Sequence, residues 1–305
     1  MNNINPPISN NQPIILRGLN NIQKKSFEIP SNTNTFANED MFSVSKTLKA
    51  NPKILNNIYG KKLELPQIPT TQISTNNYFN SDISIKTQNA LNQIEGTKWA
   101  GRLASNGGRE VAIILPKNYD PAKPTEVIYH FHGHGGTIAN VLTGSNGLKN
   151  QIEQVSKDRN IVVIVPRGPS KENDHDWMNK AKGEDMRKFQ EETLSLIKTQ
   201  LEPNINISSI TVEGHSAGGL PIKNAAMEGK LYANKINLMD SSYGDWATSA
   251  YKNMMKNHPD TKFNVIYIPN SDTQYDAVQL KNKPNVNMIR TPIGHSNIPK
   301  TFFGL

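Results

Sequence analysis

Ser209–Gly229 reads SITVEGHSAGGLPIKNAAMEG, and the fold turns on how that stretch is read. Ile210–Glu213 has strand character, residues 217–228 have helix character, and Gly214-His215-Ser216-Ala217-Gly218 lies between them. A strand that gives way to a helix within a few residues crowds the backbone at the junction. Glycines at 214 and 218 remove the Cβ atoms that would collide there. Ser216 is then left exposed at the strand end, beside the positive end of the following helix. G-x-S-x-G alone is short enough to arise by chance in a loop. The strand before it and the helix after it give it weight as a nucleophile turn.

Outward from that turn the chain alternates in the same way. Short apolar runs occur at 98–105, 109–116, 125–133, 160–168, 208–214, 235–241, 262–269 and 285–292. Several are almost continuously apolar, as strands buried on both faces must be. Helical stretches are expected at 146–158, 184–201, 217–228, 247–257 and 273–281. The first two runs follow each other with no room for a helix and predict an antiparallel start. The rest reads strand–helix–strand, which predicts an α/β fold whose mainly parallel sheet carries helices on both faces.

A serine hydroxyl needs a base to take its proton. Of the seven histidines, His295 is the best placed, in the turn TPIGHSNIP (291–299) after the last strand. His258 reads as solvated at a helix end, and His215 as a packing residue of the turn itself. A carboxylate must then hold the imidazole. Asp240 ends KINLMD (235–240) and Asp272 follows the next strand in VIYIPNSDTQYD (265–276); position permits either, and Asp245 remains a third choice.

The stretch TEVIYHFHGHGGT (125–137) supplies the next element. Developing negative charge on a tetrahedral intermediate needs backbone N–H donors aimed at it. Ala217 is one expected donor, and the other comes from His134 or Gly135, with Gly133 allowing close approach. A rival reading takes His130, His132 and His134 as three imidazoles on one strand face, able to hold Zn²⁺. The glycines fit an oxyanion loop better, so neither a metal nor a cofactor is expected.

Residues 98–305 resemble the α/β-hydrolase superfamily, with the best likeness to serine esterases of the feruloyl, acetyl-xylan and polyhydroxybutyrate-depolymerase type. The likeness is carried by VAIILPKNYDPAKPTEVIYHFHGHGG, NIVVIVPRG, INISSITVEGHSAGG and GHSNIP. It implies an eight-stranded sheet and metal-free hydrolysis of an ester, or of an amide as the alternative, through an acyl-enzyme. It also implies the chain order Ser, acid, His, with the acid after the later strand, which favours Asp272; some lipase-like relatives use the position Asp240 occupies. Only Asp245–Pro259 separates the sixth strand from the seventh, so no large cap domain is expected. The loop at 170–186 can shape a pocket instead, with Trp177 and Met178 against an acyl or aromatic group, or Trp177 can anchor its own loop. Use of the fold for binding alone would be marked by loss of the serine, the histidine or the acid, and all are present.

Residues 1–90 are expected to form an Asn-rich leader or strap, partly disordered, and 91–305 the catalytic domain. Asn favours turns and coil because its side chain competes for backbone partners. The net charge of +8 is spread along the chain and forms no dense basic block, so nucleic acid is not an expected partner. No run approaches the length of a membrane span, and no Sec-type signal is visible, which leaves a cytoplasmic protein or export by another route. The chain has no cysteine, so disulfides and a thiol nucleophile are excluded.

Overall fold

A computed structural model describes residues 77–144, 147–169 and 177–305, all within the second of the two units, Met1–Glu64 and Leu65–Leu305, into which the chain divides. The leader up to residue 76 lies outside the described residues.

Alternation along the apolar runs builds two cores. Val111, Ile113 and Leu115 point to one face of the sheet with Val162 and Ile164, while Ala112 and Ile114 point to the other with Val163 and Val165. Both faces are dry, which is why these runs contain so few polar residues. The strands are β1 (Asn77–Phe79), β2 (Gly96–Leu103), β3 (Arg109–Pro116), β4 (Pro124–Phe131), β5 (Ile161–Pro166), β6 (Asn206–His215), β7 (Lys235–Met239), β8 (Lys262–Tyr267) and β9 (Val286–Arg290). They form one sheet in the order β1-β2-β3-β5-β4-β6-β7-β8-β9. The β2–β3 and β3–β5 pairs are antiparallel and every other pair is parallel.

The eight helices are α1 (Ile85–Asn92), α2 (Ile138–Thr143), α3 (Lys149–Asp158), α4 (Met186–Leu196), α5 (Gly219–Met227), α6 (Trp246–Asn257), α7 (Asp272–Ala277) and α8 (Ile298–Phe302) among the described residues. The first three pack on one face of the sheet; α4, α5 and α6 pack on the other. The region 184–201 runs as α4 and then closes with a π turn at Ile197–Leu201. No large cap interrupts the described residues.

Two features differ from expectation. The sheet has nine strands, because Asn77–Phe79 pairs in parallel with β2. The domain boundary expected after residue 90 falls inside α1, whose Ala90 and Leu91 are buried. This helix has little apolar periodicity and is held by tertiary contacts. Ser84 caps it by accepting from the Thr87 N–H at 3.3 Å. The Ser84 N–H and the Thr87 hydroxyl in turn donate to the buried Glu110 carboxylate at 2.8 and 2.7 Å.

The strand order explains where a site can form. From β4 the chain moves outward to β5 on one side, and from β6 to β7 on the other, so the connections diverge between β4 and β6. In open α/β sheets ligands bind at the carboxyl ends of strands at such a switch point. Here Phe131 lies opposite Gly214 in the ladder, which brings the loop after β4 beside the turn after β6.

A polar row crosses the same part of the sheet, buried at His130, Glu213 and Asn237 and reaching the surface at Asn287. His130, Glu213, Asn237, Asn264 and Asn287 are successive ladder partners on β4, β6, β7, β8 and β9. His130 Nδ1 lies 3.3 Å from Glu213 Oε2, the Asn237 amide donates to Glu213 Oε1 at 2.9 Å, and the asparagines bond one to the next at 2.8 and 3.0 Å. The Gly304 N–H closes the row by donating to Glu213 Oε1 at 2.7 Å.

Candidate active site

The turn after β6 shows its constraint in its dihedrals and its contacts. Ser216 has φ 53°, a left-handed conformation rare for a residue with a side chain. A Cβ on Gly218 would lie 2.1 Å from the Phe131 carbonyl oxygen, and one on Gly214 would lie 2.5 Å from the Gly218 carbonyl oxygen. Both glycines are therefore dictated by backbone-to-backbone approach, as the sequence pattern implied. Ser216–Gly218 forms a single 3-10 turn leading into α5, and the Ser216 carbonyl accepts from Ser241 Oγ at 2.7 Å.

Ser216 and His295 line one cleft of about 340 Å³, together with His130, His132, Gly133, His134, Gly135, Gly136 and His215. His295 starts a 3-10 turn after β9. Its Nδ1 lies 2.6 Å from Asp240 Oδ2. A carboxylate oxygen only accepts, so Nδ1 carries the hydrogen and Nε2 is left as the basic nitrogen.

Asp240 is the acid that meets His295, where the family likeness favoured Asp272. Asp272 is exposed in the first turn of α7, and its neighbour Thr273 is the residue that turns inward. Thr273 Oγ1 donates to Asp240 Oδ1, and the Ile268 N–H lies 3.4 Å from the same oxygen. Asp240 itself ends β7 with φ 47°, its N–H bonded to the Ile266 carbonyl at 2.8 Å. Burial pushes its carboxyl up, but the hydrogen bonds from His295 and Thr273 outweigh burial and hold it below the usual range. Asp245, the third choice, is exposed at the start of α6 and bonds Lys223 and Ser249 at 2.5 and 2.7 Å.

The loop after β4 is fastened by His132. Its Nδ1 lies 2.6 Å from the Gly133 carbonyl, and its Nε2 accepts from the Gly168 N–H at 2.8 Å. Both nitrogens are thus used by a neutral ring, and burial pushes His132 down to about 4. Gly133–Gly136 turns with a 3.2 Å backbone bond; Gly135 has φ 61°, and a Cβ on Gly136 would strike His132 Nδ1 at 2.3 Å. Gly133 is so close to the nucleophile that its Cβ would lie 3.0 Å from Ser216 Cβ. The zinc reading fails on this geometry. His130 turns to Glu213 and His132 to the backbone, and no group of three or more His, Cys, Asp or Glu is placed to hold a metal among the described residues.

Of the remaining expectations, His134, Gly135 and Gly133 line the cleft, and Ala217 follows Ser216 in the turn, half-buried. Trp177 does not face substrate space. It is buried with its ring against Phe131 and His132, each centroid 5.1 Å away, and its Nε1 donates to Asn106 Oδ1 at 3.0 Å. A large flat side chain after a loop fills the gap behind the β4 turn, so it anchors that loop from inside. His215, read as a packing residue, is in tilted contact with His295, while Thr273, donor to Asp240, carried no signal in a linear reading.

Residues 104–228 match the family described as "Putative esterase", a stretch holding both the β4 turn and the Ser216 turn. Among solved structures, the chain is similar to a feruloyl esterase module from Clostridium thermocellum complexed with sinapinate, at 14% identity over 65% of this chain and 81% of that one, with a TM-score of 0.49. It is similar as well to a fluorophosphonate-binding serine hydrolase from Staphylococcus aureus, at 16% identity over 65% and 90%, with a TM-score of 0.45. A third is an S-formylglutathione hydrolase from Agrobacterium tumefaciens, at 13% identity over 64% and 84%, with a TM-score of 0.41. No curated protein matches the chain. The stretch that holds the β4 turn and the Ser216 turn is thus similar to an esterase family, on a sheet with the strand order of an α/β hydrolase.

Proposed function

We propose that the protein hydrolyses a carboxylic ester through a Ser216–His295–Asp240 triad and an acyl-enzyme. The observation that carries this reading is the 2.6 Å contact between His295 Nδ1 and Asp240 Oδ2, with His295 and Ser216 on the wall of one cleft. Ser216 Oγ attacks the ester carbon while its proton passes to His295 Nε2. Asp240 holds the opposite edge of the ring and stabilises the imidazolium. The negative oxygen of the tetrahedral intermediate meets the N–H of Ala217 and an N–H from His134 or Gly135. Collapse breaks the C–O bond to the alcohol, which takes the proton from His295. Water then attacks the acyl-enzyme with His295 again as base, releasing the acid and restoring Ser216.

A fluorophosphonate probe is expected to label the intact protein at Ser216, located by mass spectrometry of the peptides. Ser216→Ala is expected to abolish labelling and turnover of p-nitrophenyl esters while its circular dichroism stays that of the parent. Full turnover by the alanine variant would reject the triad.

A further inference from the structure

His215 occupies the variable position before the nucleophile in Gly214-His215-Ser216, and it is only 5% exposed. Its ring does more than fill space. His215 Nε2 lies 3.0 Å from the carbonyl oxygen of His295, eighty residues along the chain. A carbonyl oxygen can only accept, so Nε2 carries the hydrogen. The two imidazoles are also in tilted contact, with centroids 4.5 Å apart and planes inclined by 37°. We propose that His215 is a positioning residue for the base: its N–H fixes the backbone of the His295 turn, and its ring backs the His295 ring, so that Nε2 of His295 is held toward Ser216. This rests on the triad reading above.

Several features make this hold specific. His295 sits in a short turn after β9, and its own N-terminal neighbour, Gly294, has open space around it. Asp240 holds one edge of the imidazole but leaves the main chain of the turn free to swing. The His215 bond supplies the second point of attachment, and two points fix an orientation where one fixes only a distance. The anchor is itself held, because His215 ends β6 paired with Met239 of β7, one residue after Gly214 pairs with Phe131 of β4. Burial, with help from the neighbouring His295, pushes His215 down to about 3, so across the working range it stays a neutral ring with one N–H. It follows that the donor does not change identity while His295 gains and loses its proton.

Positioning of a reacting group is worth a great deal: displacement by about 1 Å can cost about 10²-fold in rate. Two substitutions divide the roles. His215→Phe keeps a ring against His295 and removes the donor. His215→Gln removes the ring and offers an amide N–H at similar reach. Both are compared with the parent full-length chain for kcat and KM on p-nitrophenyl acetate, for the second-order rate of fluorophosphonate labelling, and for melting temperature. His215→Phe is expected to lose about 10- to 100-fold in kcat and in labelling rate, with KM within about twofold. His215→Gln is expected to recover to within about threefold of the parent. A merely structural role would lower melting temperature without this split between kcat and KM, and glutamine would not restore the rate. The inference is overturned if His215→Phe keeps parental kcat, or if His215→Gln falls as far as phenylalanine does. A parent chain that turns over the ester but is not labelled at Ser216 would overturn the triad reading first, and the His215 role with it.

Discussion

Two buried histidines should make the protein acid-sensitive well above the range where carboxylates titrate. Burial holds His132 down to about 4 and His215 down to about 3, against an ordinary value of 6.5. Between the folded and unfolded values the unfolded chain binds more protons, so stability falls as pH falls across that window. At pH 5 each group lies about 1.5 units below its unfolded value and at least about one unit above its folded value, so nearly the whole 1.5 units is lost. One unit is about 1.4 kcal/mol, which gives about 2 kcal/mol for each histidine and about 4 kcal/mol for both between pH 8 and pH 5. That is a large share of the roughly 5–15 kcal/mol that holds a domain together. Other groups contribute in both directions: His258 is also pushed down by burial, while burial pushes the Asp276 carboxyl up. A difference measurement cancels them. Urea unfolding followed by far-UV circular dichroism at pH 8 and pH 5 is compared for the parent and for His215→Gln, which removes one titration. The parent is expected to lose about 2 kcal/mol more than the variant over that interval. Equal losses would show that His215 is not held neutral by the fold, and the reasoning would fail.

Asp240→Asn should cost on the order of 10⁴ in kcat, the size found when a triad acid is neutralised, whereas Asp272→Asn, exposed in the first turn of α7, should stay within about twofold of the parent; steady-state kinetics with a p-nitrophenyl ester decides, and the reverse ranking would move the acid. Gly218→Ala should lower melting temperature and slow fluorophosphonate labelling sharply, since its Cβ meets the Phe131 carbonyl oxygen at 2.1 Å, while Gly294→Ala, with nothing within 4 Å, should leave melting unchanged. A chain begun at residue 93 should melt well below one begun at residue 77. It loses the buried Ile83, Ala90 and Leu91 and deprives Glu110 of the Ser84 and Thr87 donors, and burial of each large side chain is worth about 1.5–3 kcal/mol. Equal melting of the two chains would mean that α1 adds nothing to the core.

What the sequence revealed and what it hid divide along a physical line. The central strands were legible because burial on both faces forces near-continuous apolar runs, and the Ser216 turn because its glycines answer to close backbone contacts. β1 and α1 were not. A three-residue strand carries no period, and IKTQNALN is held by a carboxylate on β3. The acid was ambiguous for a related reason. Asp240 and Asp272 both follow parallel strands that open on the same edge of the sheet, and what separates them is a left-handed φ at 240 and the inward turn of Thr273, neither of which has a signature in the local sequence. Trp177 was legible as important but not in direction, since a large aromatic after a polar loop fits a pocket wall and a core anchor equally well.

Glu213 brings the end of the chain into the centre of the sheet. Its carboxylate is completely buried, and one of its donors, the Gly304 N–H, arrives ninety-one residues later. Phe303 packs in the same core and its ring lies 6.1 Å from that of His130. Shortening the chain by a few residues would leave Ser216, His295 and Asp240 in place and leave Glu213 with His130 and Asn237 but one donor fewer, and a lost partner on a buried polar group costs stability. The row from His130 to Asn287 therefore ties the stability of the sheet centre to residues late in the chain. A residue ninety-one positions downstream thus helps to satisfy the interior on which the Ser216 turn is built.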